Sequence, residues 1–273
     1  MSHPASFFLA IAMALPGIGA VSASSLGTGP APSIVGGKDV PDGTYPFLLS
    51  VQRLAAGTTP LQRHWCGATL IAPEWALTAA HCVRGDVPGN LAVRAAETDL
   101  ASGSGHDVAV ATIHIHPDYP FTLKADVALL RLARPLTGVP AITLAGLAGA
   151  QWEQPGQHLT VAGWGLLDAR GGQPARMQHV EVPFISTPVC QRLYRGRALV
   201  DATLEMCASA PGRDACRGDS GGPLMVQDAD RNWLQLGVVN WGLGCARDDS
   251  PGVHARLAAP DLIAFIRNVM AGG

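Results

Sequence analysis

The stretch PLMVQDADRNWLQLGVVNWG, residues 223–242, reads as two β-strands folded about a polar turn at 228–232. Its arms are short apolar or alternating runs, and its centre is rich in Asp, Arg and Asn, the composition of a hairpin connection. The rest of the chain repeats this pattern on both sides. PFLLSVQ, ATLIA, WALTAA, DVAVATIHI, DVALLRL and HLTVAGWG follow one another, separated by Gly, Pro, Asp and Asn. Such a succession, starting at Ile34, predicts an all-β fold. AGLAGAQWEQPGQ, residues 145–157, marks the crossing between two β-modules. Behind Pro260 the period changes: Leu262, Phe265, Ile266 and Val269 fall at helical spacing, so a terminal helix is expected over about 260–271.

The chain has 273 residues, 48% hydrophobic and 15% charged, which is globular composition in an amount sufficient for one large domain or two small ones. A net charge of −2, from 19 basic and 21 acidic residues, provides no basic footprint for nucleic acid. FFLAIAMALPGIGAV, residues 7–21, is apolar, interrupted by Pro16 and short for a bilayer, and VSA at 21–23 has the small-x-small form of a signal-peptidase site. Residues 1–23 therefore read as a secretory signal, although their n-region lacks Lys and Arg. SSLGTGPAPS, residues 24–33, has no apolar period and reads as linker or pro-segment. The expected destination is extracellular or periplasmic. There the six cysteines can pair, in any of fifteen ways. Buried thiols and a metal site are the alternatives. No Cys-x-x-Cys occurs, and HIH at 114–116 has no nearby thiol, so no metal is assigned.

DACRGDSGGP, residues 214–223, surrounds Ser220 with glycine and acid. A serine hydroxyl is a poor nucleophile at neutral pH. It needs a base within reach and a third group to orient that base. His81 in LTAAHC lies where a strand ends, and Asp126 opens the apolar run DVALLRL, where a carboxylate needs a donor such as an imidazole N–H. In that order TAAHC, DVALL and GDSGGP resemble the chymotrypsin-like, or trypsin-family, serine proteases, from Ile34 to the terminal helix.

The resemblance implies two six-stranded antiparallel β-barrels, about 34–147 and about 148–258, with a site in the cleft between them. It implies Ser220 as nucleophile, His81 as general base and then acid, Asp126 as orienting group, and the N–H groups of Gly218 and Ser220 as oxyanion hole. It selects one pairing: Cys66 with Cys82, Cys190 with Cys207, and Cys216 with Cys245, each loop worth about 3 kcal/mol in the chain-entropy model. Where relatives carry a further bridge, Leu159 and Val226 would make an apolar contact.

By the same resemblance Asp214 terminates the main specificity pocket. Ala215, Trp241, Gly242 and Gly252 line it, the glycines leaving it open to a long cationic side chain. Ala215 stands where trypsins have a serine, which favours Arg over Lys, because a guanidinium binds a carboxylate in bidentate fashion. Ile34 in IVGG is the implied mature N-terminus, whose ammonium would pair with Asp219. Until that cleavage the oxyanion loop is expected to lack a partner and to be poorly ordered. Ser33 precedes the junction where relatives often carry Arg or Lys, so the activating protease would differ in specificity from this one.

The resemblance implies no required cofactor. Glu97 and Asp107 fall where trypsins place calcium-ligating glutamates, which leaves room for a weak calcium site. Asn240, His254 and Arg217 depart from the usual residues around the pocket, and Pro251 argues against a sodium effect. The implied partners are polypeptide substrates, an activating protease and protein inhibitors, and the enzyme is expected to be a monomer. A secreted, non-catalytic binding protein on the same scaffold is the alternative. An α/β-hydrolase would also carry Gly-x-Ser-x-Gly, but it needs alternating helices that this chain lacks.

Overall fold

The computed structural model describes Met1, residues 34–167 and residues 171–272. The expected signal at 1–23, apart from Met1, and the expected pro-segment at 24–33 lie outside the described residues. The fourteen described strands are β1 (Lys38–Asp39), β2 (Leu48–Arg53), β3 (His64–Ala72), β4 (Trp75–Thr78), β5 (Leu91–Ala95), β6 (His106–Ile115), β7 (Ala128–Leu132), β8 (Thr143–Leu144), β9 (His158–Gly163), β10 (Gln178–Ile185), β11 (Glu205–Ala208), β12 (Pro223–Gln227), β13 (Trp233–Trp241) and β14 (Val253–Arg256).

Strands β2-β3-β4-β7-β6-β5 close into a first barrel. The second closes as β9-β10-β11-β14-β13-β12, with the β9–β12 pairing completing the ring. Closure leaves neither sheet an open edge within its ring. Every named pairing inside the rings is antiparallel, which excludes the α/β-hydrolase architecture.

The hairpin read at 223–242 is β12 and β13, with Gln227 opposite Trp233. Its turn is held by Asp228, whose carboxylate accepts the N–H groups of Asp230 and Asn232 at 2.9 and 2.8 Å. Leu159 and Val226 lie in one buried apolar cluster, as expected in place of a disulfide. Thr69 of the first barrel donates to buried Gln235 of the second at 2.7 Å, so polar pairing as well as apolar packing joins the two.

Two features differ from the chain-order reading. β1 pairs with β10, so the start of the chain segment assigned to barrel one is attached to barrel two. The 145–157 crossing contains a 3-10 helix at Gly146–Trp152. The terminal helix, Pro260–Gly272, buries Leu262, Ile263 and Ile266, while Phe265 and Val269 are partly covered. It follows barrel two in sequence yet stacks Phe265 on His116 of the first half, ring centroids 4.9 Å apart. Residues 38–39 and the terminal helix therefore each contact the half of the domain that is remote in sequence. Among the described residues no helix is long and apolar enough to cross a membrane.

Candidate active site

His81 follows β4 in the one-turn helix Ala80–Val83, and Asp126 lies just before β7. Thr78 pairs with Ala128 in the β4–β7 ladder, so the two side chains leave the same end of barrel one. Asp126, only 2% exposed, accepts His81 Nδ1–H at 2.7 Å through Oδ2 and the His81 backbone N–H at 2.8 Å through Oδ1. The pair of bonds fixes both the tautomer and the plane of the ring, leaving Nε2 without a proton and able to act as a base.

Ser220 is tied from barrel two to the segments around this histidine through backbone contacts. Its carbonyl accepts Gly67 N–H at 2.8 Å, and Gly67 adjoins Cys66, which is bonded to Cys82 beside His81. Gly221 lies against Thr78 and Ala79, at the end of the strand that leads to the histidine. Among the described residues no hydrogen bond joins Ser220 Oγ to His81 Nε2; the ring nitrogen is faced by Cys82 Sγ at 3.7 Å. Such contacts commonly tighten only when substrate binds. All six cysteines are paired as the resemblance implied, and Cys216–Cys245 ties the serine loop to the opposite wall of its pocket.

That pocket is a cavity of about 240 Å3 lined by Asp214, Ala215, Ser220, Trp241, Gly242 and Gly252, among others, with Arg217 also on its lining and exposed. A side chain at Gly252 would meet Asp214 Oδ1 at 2.5 Å, so only glycine there leaves room for the carboxylate. Asp214 Oδ2 accepts Ala246 N–H at 3.1 Å, whereas Oδ1 is buried without a partner. Burial drives the Asp214 carboxyl up to about 7, against the lowering effect of backbone donors. His254 also lines the cavity. Burial lowers it to about 4, and its Nε2–H donates to Ala208 O at 3.3 Å. Asn240 makes no bond to Asp126, and its Nδ2 is buried without a partner.

Asp219 is fully buried and its carboxylate accepts Gly165 N–H at 2.8 Å and Cys216 N–H at 2.9 Å. Burial nevertheless raises it to about 7. Both Asp219 oxygens thus have a backbone donor. Ile34 is buried in the apolar cluster of barrel two, and Val35 O accepts Asp214 N–H at 3.2 Å. Its φ of 37° is a conformation that costs a β-branched residue energy.

His64 contributes without having been singled out in the sequence. Gln52 Nε2 donates to Ser50 Oγ at 2.6 Å, Ser50 Oγ–H donates to His64 Nδ1 at 2.6 Å, and His64 Nε2–H donates to Gly218 O at 3.0 Å. Burial lowers His64 to about 4, which keeps it neutral and in this tautomer at neutral pH. The chain orients Gly218, whose φ of +98° suits glycine alone. The only sequence signal was a histidine two positions before Cys66 on a β-strand, and nothing local tells such a residue from ordinary core.

Neither metal candidate fits. Arg94 donates to Glu97 through Nε and Nη2, and to Asp107 Oδ1 through Nη1 at 3.0 Å, so a guanidinium already stands between the two carboxylates considered for calcium. Burial pushes Glu97 up, but the bonds from Arg94, Gly105 and Ser102 outweigh it and hold the carboxyl below its ordinary value. Calcium takes 6–8 oxygen ligands, and a fixed cation at this place repels it. His116, Asp118 and Asp261 also converge within 4.8 Å. There Asp118 N–H donates to His116 Nδ1 at 3.2 Å, which leaves the ring proton on Nε2, facing Asp261 Oδ2 at 3.4 Å, and no lone pair for a metal.

The family model described as Trypsin matches residues 34–263. Trypsin-1 of Astacus astacus is 36% identical over 233 residues, covering 82% of this chain and 95% of that protein. A trypsin of Saccharopolyspora erythraea is 37% identical over 229 residues, 83% of this chain and 94% of its own length. A tryptase of Mus musculus is 36% identical over 236 residues, 82% and 84% respectively.

Proposed function

The chain belongs to the trypsin family of serine endopeptidases, and on that premise we propose that it cleaves polypeptides after arginine, and less readily after lysine, through Ser220, His81 and Asp126. The observation that carries this reading is Asp214, which lines the cavity and whose buried Oδ1 atom has no donor of its own. An unpaired buried acceptor costs roughly 1–3 kcal/mol, and a substrate guanidinium relieves that cost while adding charge. Ala215 supplies no hydroxyl to help an ammonium that is shorter and carries fewer donors.

His81 Nε2 takes the Ser220 proton as Oγ attacks the scissile carbonyl, and Asp126 stabilises the imidazolium. The N–H groups of Gly218 and Ser220 bind the oxyanion, Gly218 being oriented by His64. The protonated Nε2 then donates to the leaving amine. Water, deprotonated by the same nitrogen, releases the acyl group. This is the mechanism of the family, which is also the general template for such triads.

The protein is secreted as a zymogen opened before Ile34 by a protease that accepts Ser33. Three disulfides support an oxidising destination. The strained, buried Ile34 beside the Asp214 segment supports the junction.

Cleavage-site profiling on a peptide library tests the specificity, with wild type beside Asp214→Ser. Cuts after arginine, lost in the variant while fluorophosphonate labelling of Ser220 persists, are expected. Cuts after aromatic or small residues would remove the pocket assignment. Mass spectrometry of the active species is expected to read Ile34 as first residue, and full activity in a chain still carrying residues 24–33 would end the zymogen reading.

A further inference from the structure

Lys124 and Glu205 meet across the cleft. Lys124 precedes Asp126 by two residues in the first half, while Glu205 opens β11 of the second barrel and is 1% exposed. The ammonium donates to both Glu205 oxygens at 2.9 Å and to Leu199 O at 2.6 Å. The same carboxylate accepts Trp241 Nε1–H at 2.7 Å and Asp201 N–H at 2.8 Å. Lys124 Nζ lies 4.9 Å from the Trp241 ring centroid. Leu123 and Ala125, on either side of the lysine, have φ of 55° and 49°. Two non-glycine residues persist in that left-handed region only when their surroundings hold them there.

The clamp borders a second cavity, of about 570 Å3, whose lining includes Leu123, Leu199, Leu243 and Trp241 together with His81 and Asp126. The three leucines are 56%, 75% and 41% exposed, an apolar shelf beside the triad. Asn240 and Trp241 line both this cavity and the arginine pocket. A peptide whose side chain fills the pocket therefore continues past the indole onto the shelf.

We propose that Glu205 is a positioning residue: it neutralises Lys124, fixes the Trp241 indole, and so shapes the shelf on which the acyl part of an extended substrate lies. It touches no reacting atom and acts through its two neighbours. Without it a free ammonium borders an apolar surface and the indole loses its acceptor. The proposal rests on the arginine reading only for the choice of probe.

The test compares wild type, Glu205→Gln, Lys124→Met and the double variant on two substrates. One is a blocked arginine ester with nothing N-terminal to the arginine; the other is a peptide amide with two apolar residues before it. Glu205→Gln is expected to raise KM for the extended substrate by about 5–10-fold, with kcat within about twofold and the ester unaffected. Lys124→Met leaves a buried carboxylate uncompensated, so it is expected to lower the melting temperature as well. The double variant removes that charge and regains melting temperature, but not KM. A KM that tracks melting temperature through the series, or changes equally on both substrates, overturns the proposal. If Glu205→Gln fails to fold, the double variant decides. Should profiling return a residue other than arginine, that residue replaces it in both probes and the clamp is tested unchanged.

Discussion

The two barrels build their shares of the site by opposite means. In the first, the β4–β7 ladder sets Thr78 opposite Ala128, so His81 and Asp126 emerge together from paired strand ends. Regular hydrogen bonding does the positioning, and Asp126 needs only the histidine that the ladder delivers. In the second, residues 214–222 belong to no strand. Their order comes from Cys216–Cys245, from the Gly165 and Cys216 N–H groups on Asp219, and from His64 reaching over from barrel one. A loop assembled by distant contacts can be rearranged by changing one of them, whereas a strand pair cannot. This is consistent with the proposed specificity and activation residues gathering in barrel two.

The most severe way to break the comparison is to remove one group from each barrel. Ser220→Ala and His81→Ala are each expected to lower kcat by several orders of magnitude, and the double variant to cost little more, because nucleophile and base act as one unit. Single-turnover kinetics would measure this, and multiplicative losses would mean that the two barrels contribute independently.

A smaller effect sharpens the claim that the loop depends on the other barrel. His64→Phe removes the donor to Gly218 O while keeping an aromatic ring in place. It is expected to lower kcat by roughly 10-fold or more while KM changes little, since oxyanion stabilisation is felt in the transition state. An unchanged kcat would show that the loop holds itself.

The mildest test is pH. Burial raises Asp214 to about 7 in the empty pocket, and a bound cation favours its ionised form. Proton release therefore accompanies binding: affinity for an amidinium or guanidinium ligand is full above about pH 7. It falls by up to about tenfold for each pH unit below that, as the carboxyl takes up a proton and loses its charge. Competitive inhibition constants for such a ligand, measured from pH 5 to 9 in wild type, check this. A flat profile would mean that Asp214 is ionised throughout and that the pocket is better solvated than its burial implies.

Much of this architecture was legible in the chain itself. The strand in HLTVAGWG and the polar turn at 228–232 follow from local apolar composition and the local chemistry of Asp228, and both are present in the fold, the strand over His158–Gly163 and buried on both faces. TAAHC, DVALL and GDSGGP are local patterns too, and their resemblance to a known family allowed the proposed nucleophile, base and orienting acid to be named before any geometry. What no local pattern carries is contact between remote segments. β1 pairs with β10, although chain order places it in barrel one, and the terminal helix, assigned to neither barrel, rests on His116 of the first half. Arg94 stands between Glu97 and Asp107, where the family resemblance left room for calcium. His64 and Glu205 read as unremarkable strand residues, because their partners lie 154 and 81 positions away. Hydrophobic periodicity and turn chemistry act over a few residues and are written in order along the chain. Burial of a charge, the tautomer of a ring and the fate of a lone pair depend on which distant groups arrive beside them, and only the closed barrels decide that.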